Sequence, residues 1–472
     1  MARPGEAAAV AHLNAEGRSG EKAGQGRPDA TRSKGTAGKG KTRVAEKRVS
    51  RRAFLGHLGG AALCAAGPYV LTSGALGSGA KAPASERVTL GHIGVGARGL
   101  SQAGWFGPES QSVAVCDPFR SRREAAARQL DAKPYRDLRE LVARDDLDAV
   151  IVSTVDHWHV LAATMAAKAG KDVYCEKPMG LCLGWDLALR DAVRRHGRVF
   201  QYGTQAVSYH NVRRCCEMVR SGYIGDLRQV QVSCGPGAQG QTDVPRPVPD
   251  DLDYELWLGP APSRPYFGQP LTQGSWIHIH DYSVGWIGGM GAHSMSAALL
   301  GFDAHTRGPL EVEATGEVSR GVRDTLHRWQ ARIRFADGAT MTFSSGQDGT
   351  RFVGTTGWLE PANVVYAVSS GAGGGIRASS PALAKAPERP GDVHLGRARG
   401  GHGGEFIRAV KDRGPTTAGV DLALRSETII HLTDIAVRTG RTITWDPVKE
   451  QVLGDEEASR LVHRSLREPW RI

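Results

Sequence analysis

The sequence predicts an α/β fold whose N-terminal half is a parallel, doubly wound sheet. Three observations carry that expectation. From Val88 onward, short apolar runs alternate with stretches of helical spacing, a pattern that implies parallel strands joined by right-handed crossovers. A glycine loop, Gly94-Val95-Gly96-Ala97-Arg98-Gly99, separates the first apolar run from the first helix. An acid, Asp117, closes the second apolar run.

Taken in order, Val88–Ile93 is an apolar strand and the glycine loop opens a helix. In such a loop the first glycine permits the tight turn, the second lets backbone approach a pyrophosphate, and the third lets helix and strand pack closely. Phosphate then meets the unpaired N–H groups at the helix start. The strand Ser112–Cys116 ends at Asp117, 18 residues past Gly99, where an acid accepts hydrogen bonds from the adenosine ribose of NAD. Arg120, Arg122 and Arg123 lie close enough to keep NADP open. Leu138–Arg144 is helical, Asp148–Thr154 a strand and His157–Ala169 a helix. The strand Val173–Cys175, the helix Leu183–His196 and the strand Arg198–Tyr202 follow. This is a Rossmann-type arrangement.

Directly after Cys175 come Glu176, Lys177 and Pro178. In open α/β sheets ligands bind outside the carboxyl ends of the strands. A lone Glu-Lys-Pro would read as a salt-bridged loop. At the same sheet edge as the glycine loop it reads as a functional pair, with the proline restricting where the lysine backbone points.

The run Thr154-Val155-Asp156-His157-Trp158-His159, upstream of Cys175-Glu176-Lys177-Pro178, resembles the Gfo/Idh/MocA oxidoreductases, named for glucose–fructose oxidoreductase and inositol dehydrogenase. So do Gly203-Thr204-Gln205, Trp257-Leu258-Gly259-Pro260 and the ending Trp445-Asp446-Pro447 through Gly454–Ala458. The resemblance covers about residues 86–472. It implies an NAD(P)-binding Rossmann domain, here 83–205, and a C-terminal α+β domain, 206–472, with a large, mostly antiparallel sheet for substrate binding and oligomerisation. By resemblance, Gly94, Gly96, Arg98, Gly99, Asp117, Thr154, His159, Glu176, Lys177 and Gln205 hold the cofactor. Lys177 lies near the nicotinamide and the reacting hydroxyl.

In the second half, Asn211–Gly222 is a helix and Leu227–Cys234 a strand. The Pro/Gly-rich segment from Gly235 to about Gly274 is too long for an ordinary connection and is expected to fold over something. Trp276–Tyr282 reads as a strand that would put His278 and His280 on one face. It leads into Gly288-Gly289-Met290-Gly291-Ala292-His293. Family members have an aspartate four residues before the histidine of this motif, and Gly289 stands there. A second family aspartate, three residues after it, is Ser296 here. The resemblance makes His293 the base that takes the hydroxyl proton, with His280 and Asp281 candidate substrate groups that could compensate for the missing acid. With no confident carboxylate partner, His278, His280 and His293 are not read as a metal set, and no metal is expected. Trp329–Phe335 and Thr340–Ser344 read as strands around an Asp337-Gly338 turn. Ser369–Gly404 reads as a mobile surface loop. Glu405–Arg413 and Leu422–Gly440 read as helices, and Trp470-Arg471 as a packed arm.

The 472-residue chain has a formal charge of +11, but its first 52 residues hold 13 Lys/Arg against 5 Asp/Glu and the rest 47 against 44. The basic excess is mostly a tail, so the body carries no nucleic-acid signature. Residues 1–49 hold almost no large apolar side chains and read as a disordered leader. Ser50-Arg51-Arg52-Ala53-Phe54-Leu55 and a weakly apolar run to Leu76 read as a twin-arginine signal within 50–82, implying recognition by the twin-arginine translocation machinery and a periplasmic or secreted destination. Pro68 and many glycines argue against a permanent membrane span. Of seven cysteines, none has metal spacing, and Cys116 and Cys175 read as small buried thiols.

The functional expectation is an exported oxidoreductase moving a hydride between NAD or NADP, with NAD favoured, and a secondary alcohol of a sugar or cyclitol. The alternatives are a glycoside hydrolase with a retained, internally recycled NAD, and a cofactor- or sugar-binding homologue whose chemistry lapsed with the aspartate.

Overall fold

The computed structural model describes residues 82–240, 244–268, 274–302, 308–362, 374–396 and 400–472. The leader and the twin-arginine motif lie outside them. Among the described residues, no helix is long and apolar enough to cross a membrane.

Continuous burial marks the strands of the first sheet. In β1 (Val88–Ile93) five of six residues are buried, and β4 (Ala149–Val152) and β5 (Asp172–Cys175) are buried throughout. Strands covered by helices on both faces read as unbroken apolar runs. With β2 (Ser110–Cys116), β3 (Lys133–Tyr135) and β6 (Phe200–Tyr202) they form a six-stranded sheet, and every pairing is parallel. The order is β3-β2-β1-β4-β5-β6. Its direction of progression reverses between β1 and β4, which is where such sheets open their ligand crevice. The intervening helices are α1 (Ala97–Gln102), α2 (Arg120–Leu130), α3 (Leu138–Val142), α4 (Asp156–Lys168) and α5 (Leu183–Arg195). The predicted α/β fold is thus the observed one. The edge strand β3 was not anticipated.

The second half begins with α6 (His210–Arg220) and β7 (Leu227–Cys234). Five short helices, α7 (Tyr254–Leu258), α8 (Trp286–Gly289), α9 (Gly291–Gly301), α10 (Pro381–Ala384) and α11 (Gly401–Asp412), accompany the long α12 (Val420–Thr439) and the terminal α13 (Glu456–Leu461). The strands β8 (Leu310–Val318), β9 (Leu326–Phe335), β10 (Thr340–Ser345), β11 (Gly349–Gly354), β12 (Trp358–Pro361), β13 (Ile376–Ala378), β14 (Ile443–Asp446) and β15 (Gln451–Leu453) join β7 in a nine-stranded sheet. Its order is β13-β12-β11-β7-β10-β9-β8-β14-β15. Within this second sheet only the β7–β10 pair is parallel among the described strands. In β9, Trp329, Ala331, Ile333 and Phe335 point into the core, while Arg328, Gln330, Arg332 and Arg334 face out. That alternation is what a sheet covered on one face requires. The helices α9 and α12 supply the cover, and one hydrophobic core runs from the strands of the first sheet to those of the second.

Two segments differ from expectation. Ser275–His278 is a 3₁₀ turn, so Trp276–Tyr282 is no strand and His278 and His280 do not share a strand face. The described part of Ser369–Gly404 holds β13 and α10 and is tied to α6. There, Leu395 N donates to Glu217 at 2.9 Å, Val393 N to Ser221 Oγ at 2.8 Å, and Arg389 pairs with Asp392. Long-range bonds, invisible in a Gly/Ala/Pro-rich composition, hold it. The terminal arm packs as expected, with the Trp470 ring 4.8 Å from that of Trp158.

Candidate functional site

The glycine loop leaves β1 at the sheet's reversal point, and its three glycines have different reasons to be glycine. Gly94 has φ +83°, and a Cβ there would meet Ser153 O at 2.6 Å. A Cβ on Gly99 would lie 2.0 Å from Gly94 O. Both are required by the fold itself. Gly96 has φ −65° and ψ −170°, open to any residue, and the nearest protein atom to an added Cβ is Arg122 Nη1 at 3.7 Å. Nothing in the chain needs glycine there, and the space it leaves belongs to a cleft of about 710 Å³. That volume is in the range of a cofactor site.

Asp117 lines the same cleft from the end of β2. Its Oδ2 accepts from Val95 N and its Oδ1 from Phe119 N, each at 2.9 Å. Burial pushes its pKa up, and those two N–H groups and the nearby arginines counter the push. Each oxygen retains a lone pair for a ribose hydroxyl. Arg122 stacks on Phe119, 3.9 Å from the ring centroid, and Arg123 donates to Asp117 O at 3.3 Å. The Pro/Gly-rich segment does fold over something: Leu256, Trp257, Gly274 and Trp276 roof this cleft opposite the glycine loop. The segment is fastened beside Asp117 by a Phe119–Leu252 bridge, by Ser121 N and Oγ donating to Asp251 at 2.9 and 2.5 Å, and by an Arg136–Asp253 ion pair. The open volume at Gly96, the Asp117 carboxylate and the aromatic roof fit a nicotinamide dinucleotide.

The Glu176-Lys177-Pro178 turn emerges from β5 on the same edge. Glu176 is buried, and its Oε1 accepts from Arg98 Nε and Nη2 at 3.1 and 2.8 Å, from Gln205 Nε2 at 3.2 Å and from Gln102. Burial opposes its charge, but Arg98 and Lys177 outweigh it and hold the carboxyl below its ordinary range. Gln205 also donates to Gly203 O at 2.7 Å. His159 fixes the far side of the turn, with Nδ1 2.7 Å from Pro178 O and Nε2 3.2 Å from Thr154 O. Burial pulls its pKa down, and as a neutral ring it donates to one of these two carbonyls at a time. Thr154 sits at the lip of the cleft. Lys177 is half-buried, and its ammonium makes no hydrogen bond or ion pair to the described residues. A cation held between bonded neighbours, yet itself unbonded, is poised for a ligand oxygen.

His293 lies in the first turn of α9, fully enclosed, and its Nδ1 has no partner among the described residues. Burial, and then the positive charge of Lys177, lower its pKa to about 3, while Glu176 works the other way. His293 is therefore a neutral imidazole within the field of the Glu-Lys pair. Gly289 is on α8, separated from α9 at Met290, so residues 289 and 293 do not share one continuous helix face. A Cβ on Gly289 would lie 2.7 Å from Ile277 Cδ1. The 3₁₀ turn has placed an isoleucine against the position of the missing aspartate. The other family acid, Ser296, bonds Ser426 Oγ at 3.1 Å.

The two candidate substrate groups are held by partners of their own. His280 bonds Arg464 and lies 3.8 Å from Asp434, and Asp281 pairs with Arg264. Apart from Arg264, those partners are far off in sequence, so the motif gave no sign of them. Sequence reasoning missed Gln102, whose Nε2 bonds Glu176 and whose Oε1 accepts from Ser153 Oγ at 2.5 Å. Its place three residues past Gly99 was the available signal. It also gave no role to Asp156, buried at the start of α4 and accepting from Ser283 Oγ at 2.6 Å. Burial raises its pKa to about 8, against the pull of Ser283 and Lys177. The six described cysteines are free and buried.

Comparison with known proteins gives two family matches: an oxidoreductase family's NAD-binding Rossmann fold over residues 89–204, and its C-terminal alpha/beta domain over 210–472. A 2,7-anhydro-N-acetylneuraminate hydratase of Mediterraneibacter gnavus is 31% identical over 149 residues, 29% of this chain and 38% of that one. A glycosyl hydrolase family 109 protein 1 of Shewanella sp. (strain ANA-3) is 33% identical over 166 residues, 31% of this chain and 34% of that one. The matched stretches thus span little more than a third of these relatives. An aldose-aldose oxidoreductase from Caulobacter crescentus, solved with glycerol, superposes with TM-score 0.58 at 20% identity, covering 75% of this chain and 99% of that one.

Proposed function

Because the chain belongs to the Gfo/Idh/MocA family of oxidoreductases, we propose that it interconverts a secondary alcohol and a ketone on a sugar or cyclitol, using a nicotinamide dinucleotide that it retains. The observation that carries this reading is the Lys177 ammonium, unbonded among the described residues beside a carboxylate held charged by Arg98. A bound nicotinamide supplies the acceptor or donor for the hydride. The chain supplies the rest. The glycine loop leaves room for pyrophosphate, Asp117 accepts from the ribose hydroxyls, and Glu176 Oε2 accepts from the Lys177 backbone N–H at 3.2 Å. Lys177 donates to the reacting oxygen and stabilises the negative charge that develops there. His293, neutral through burial, takes the hydroxyl proton in the oxidative direction. With no carboxylate at position 289 or 296, the imidazolium draws its stabilisation from Glu176. NAD is favoured because Asp117 stands where a 2′-phosphate would be repelled, and Arg122 beside it keeps NADP as the other candidate. The Arg51-Arg52 motif supports twin-arginine export to the periplasm or beyond, and the boundary between the two domains is placed at Gln205.

A second reading is redox-neutral glycoside cleavage, in which the ring carbon is oxidised, the aglycone eliminated, water added and the carbon reduced again. It is favoured by the segment fastened across the cleft at Asp251 and Asp253, which would hinder cofactor exchange, and by the hydrolase name that one relative carries. The test is to denature the purified chain, identify any released nucleotide by mass spectrometry, and assay sugars and aryl glycosides. Lys177→Ala should cut turnover by about 10²–10⁴-fold while nucleotide content and folding are unchanged. Wild-type turnover in that variant would sink the assignment of the site. Nicotinamide absorbance changes with free sugars would favour the dehydrogenase, and aglycone release without net NADH the hydrolase.

A further inference from the structure

Behind the Glu-Lys-Pro turn, outside the cleft, α5 and α12 bring Asp186, Glu427 and His431 together. One ligand atom from each lies within 4.8 Å of the others, and all three residues are buried. Glu427 and His431 are one helical turn apart and so share a face of α12, and Asp186 comes from the other half of the chain. His431 Nε2 is 3.0 Å from Asp186 Oδ2 and 3.9 Å from Glu427 Oε2.

Glu427 Oε1 is fixed by Tyr202 OH and by Met179 N, the latter donating at 3.2 Å. That leaves Glu427 Oε2 turned toward His431, completely enclosed and without a hydrogen-bond partner among the described residues. Two carboxylates with no side-chain cation bonded to them are costly at zero exposure. Protons relieve only part of the problem. A proton on Asp186 Oδ2 can be shared with His431 Nε2 at 3.0 Å, but one on Glu427 Oε2 would face His431 at 3.9 Å, beyond hydrogen-bonding reach.

We propose that Asp186, Glu427 and His431 bind a divalent transition-metal ion, Zn²⁺ or Mn²⁺, through Oδ2, Oε2 and Nε2. The ion's two charges cancel the two carboxylates and it occupies the orphaned Glu427 Oε2, while Asp186 Oδ1, also without a partner among the described residues, stays outside the set. Metal bonds of about 2.1 Å hold neighbouring ligand atoms about 3–3.5 Å apart, so the 3.0 Å contact already fits and the 3.9 Å one closes by a few tenths. Imidazole with carboxylates suits zinc or manganese, and no thiolate belongs to the set. Tyr202 OH and Met179 N, bonding the outer oxygen of Glu427, orient it as metal-ligating carboxylates are oriented. Met179 follows Lys177-Pro178, so the ion clips the catalytic turn to α12.

The test uses the full-length chain produced in medium supplemented with Zn²⁺ and Mn²⁺. Metal content is measured by inductively coupled plasma mass spectrometry, and nucleotide content in parallel. The expected result is about one Zn²⁺ or Mn²⁺ per chain, reduced at least tenfold in Glu427→Gln and in His431→Gln, with nucleotide content unchanged. A metal-free wild type that takes up neither added ion would overturn the site and leave the cluster as a proton-sharing network. Metal undiminished in both variants would also overturn it, by placing the ion elsewhere. If the variants do not fold, wild-type chain grown with Co²⁺ replaces them. Visible bands of an oxygen- and nitrogen-ligated ion support the site, and their absence or a thiolate charge-transfer band refutes it.

Discussion

Adding one methyl group at two neighbouring glycines should separate what the fold demands from what the ligand demands. In Gly99→Ala the new Cβ would sit 2.0 Å from Gly94 O, a backbone atom that cannot rotate away. Overpacking of this kind costs about 1–3 kcal/mol, and in a domain of this size each kcal/mol moves Tm by about 2–4 °C. Gly99→Ala should therefore melt on the order of 5 °C lower with or without cofactor. In Gly96→Ala the backbone is already at φ −65°, and the nearest protein atom is 3.7 Å from the new methyl. The loss of unfolded-chain entropy is worth about 0.4–1 kcal/mol in its favour, so its cofactor-free Tm should hold or rise slightly. The methyl nevertheless stands in the cleft where a pyrophosphate would approach the loop. NAD affinity should fall at least about tenfold, or about 1.4 kcal/mol. The assay is thermal melting with and without NAD, plus calorimetric titration of nucleotide-stripped chain. Gly96→Ala binding NAD as tightly as wild type would refute the reading of the cleft. A Gly96→Ala chain as unstable as Gly99→Ala would refute the geometry.

Two further expectations concern the histidine and its absent partner. His293 has its pKa lowered from 6.5 to about 3 by burial and by Lys177, so below about pH 6.5 the unfolded chain binds a proton that the folded chain refuses. Stability then falls as pH drops from 6.5 toward 3, by up to about 1.4 kcal/mol per unit for this group. His293→Gln should show a shallower acid loss than wild type in denaturant titrations at pH 7, 5.5 and 4.5, and parallel curves would show that His293 is not a buried neutral imidazole. Gly289→Asp alone should lower Tm slightly and raise turnover little, because its Cβ would meet Ile277 Cδ1, the end of a half-buried side chain, at 2.7 Å. Paired with Ile277→Ala it should recover the stability and raise turnover, and a single Gly289→Asp that is already stable and more active would show that Ile277 does not compete for the space.

The first half was legible because its signals are local. Buried parallel strands spell themselves out as apolar runs, and a glycine loop between strand and helix fixes which sheet edge is the functional one. Only β3, a three-residue edge strand with Pro134 at its centre, escaped, since an edge needs no apolar run and tolerates proline. In the second half the decisive contacts join residues far apart in the chain. Asp392 is held by Tyr223 and Arg389, which turns a stretch of small residues into packed structure. His280 and Asp281 read as site groups by position, but Arg464, Asp434 and Arg264 claim them.

The departure at Gly289 shows why local reading stops there. As a motif it is a missing acid. In the structure it is one half of a packing exchange whose other half, Ile277, belongs to a turn that the alternation of Trp276–Tyr282 disguised as a strand. A Cβ at 289 and the Cδ1 methyl of the half-buried Ile277 approach one space, so the glycine also accommodates the turn. What the turn contributes in return is visible one residue earlier, where Trp276 joins Trp257 in the roof over the cofactor cleft. Under the proposed function, the chain lacks an acid beside its base and carries an aromatic cover over its cofactor cleft. Such a cover is expected where the cofactor must stay bound through successive oxidation and reduction steps.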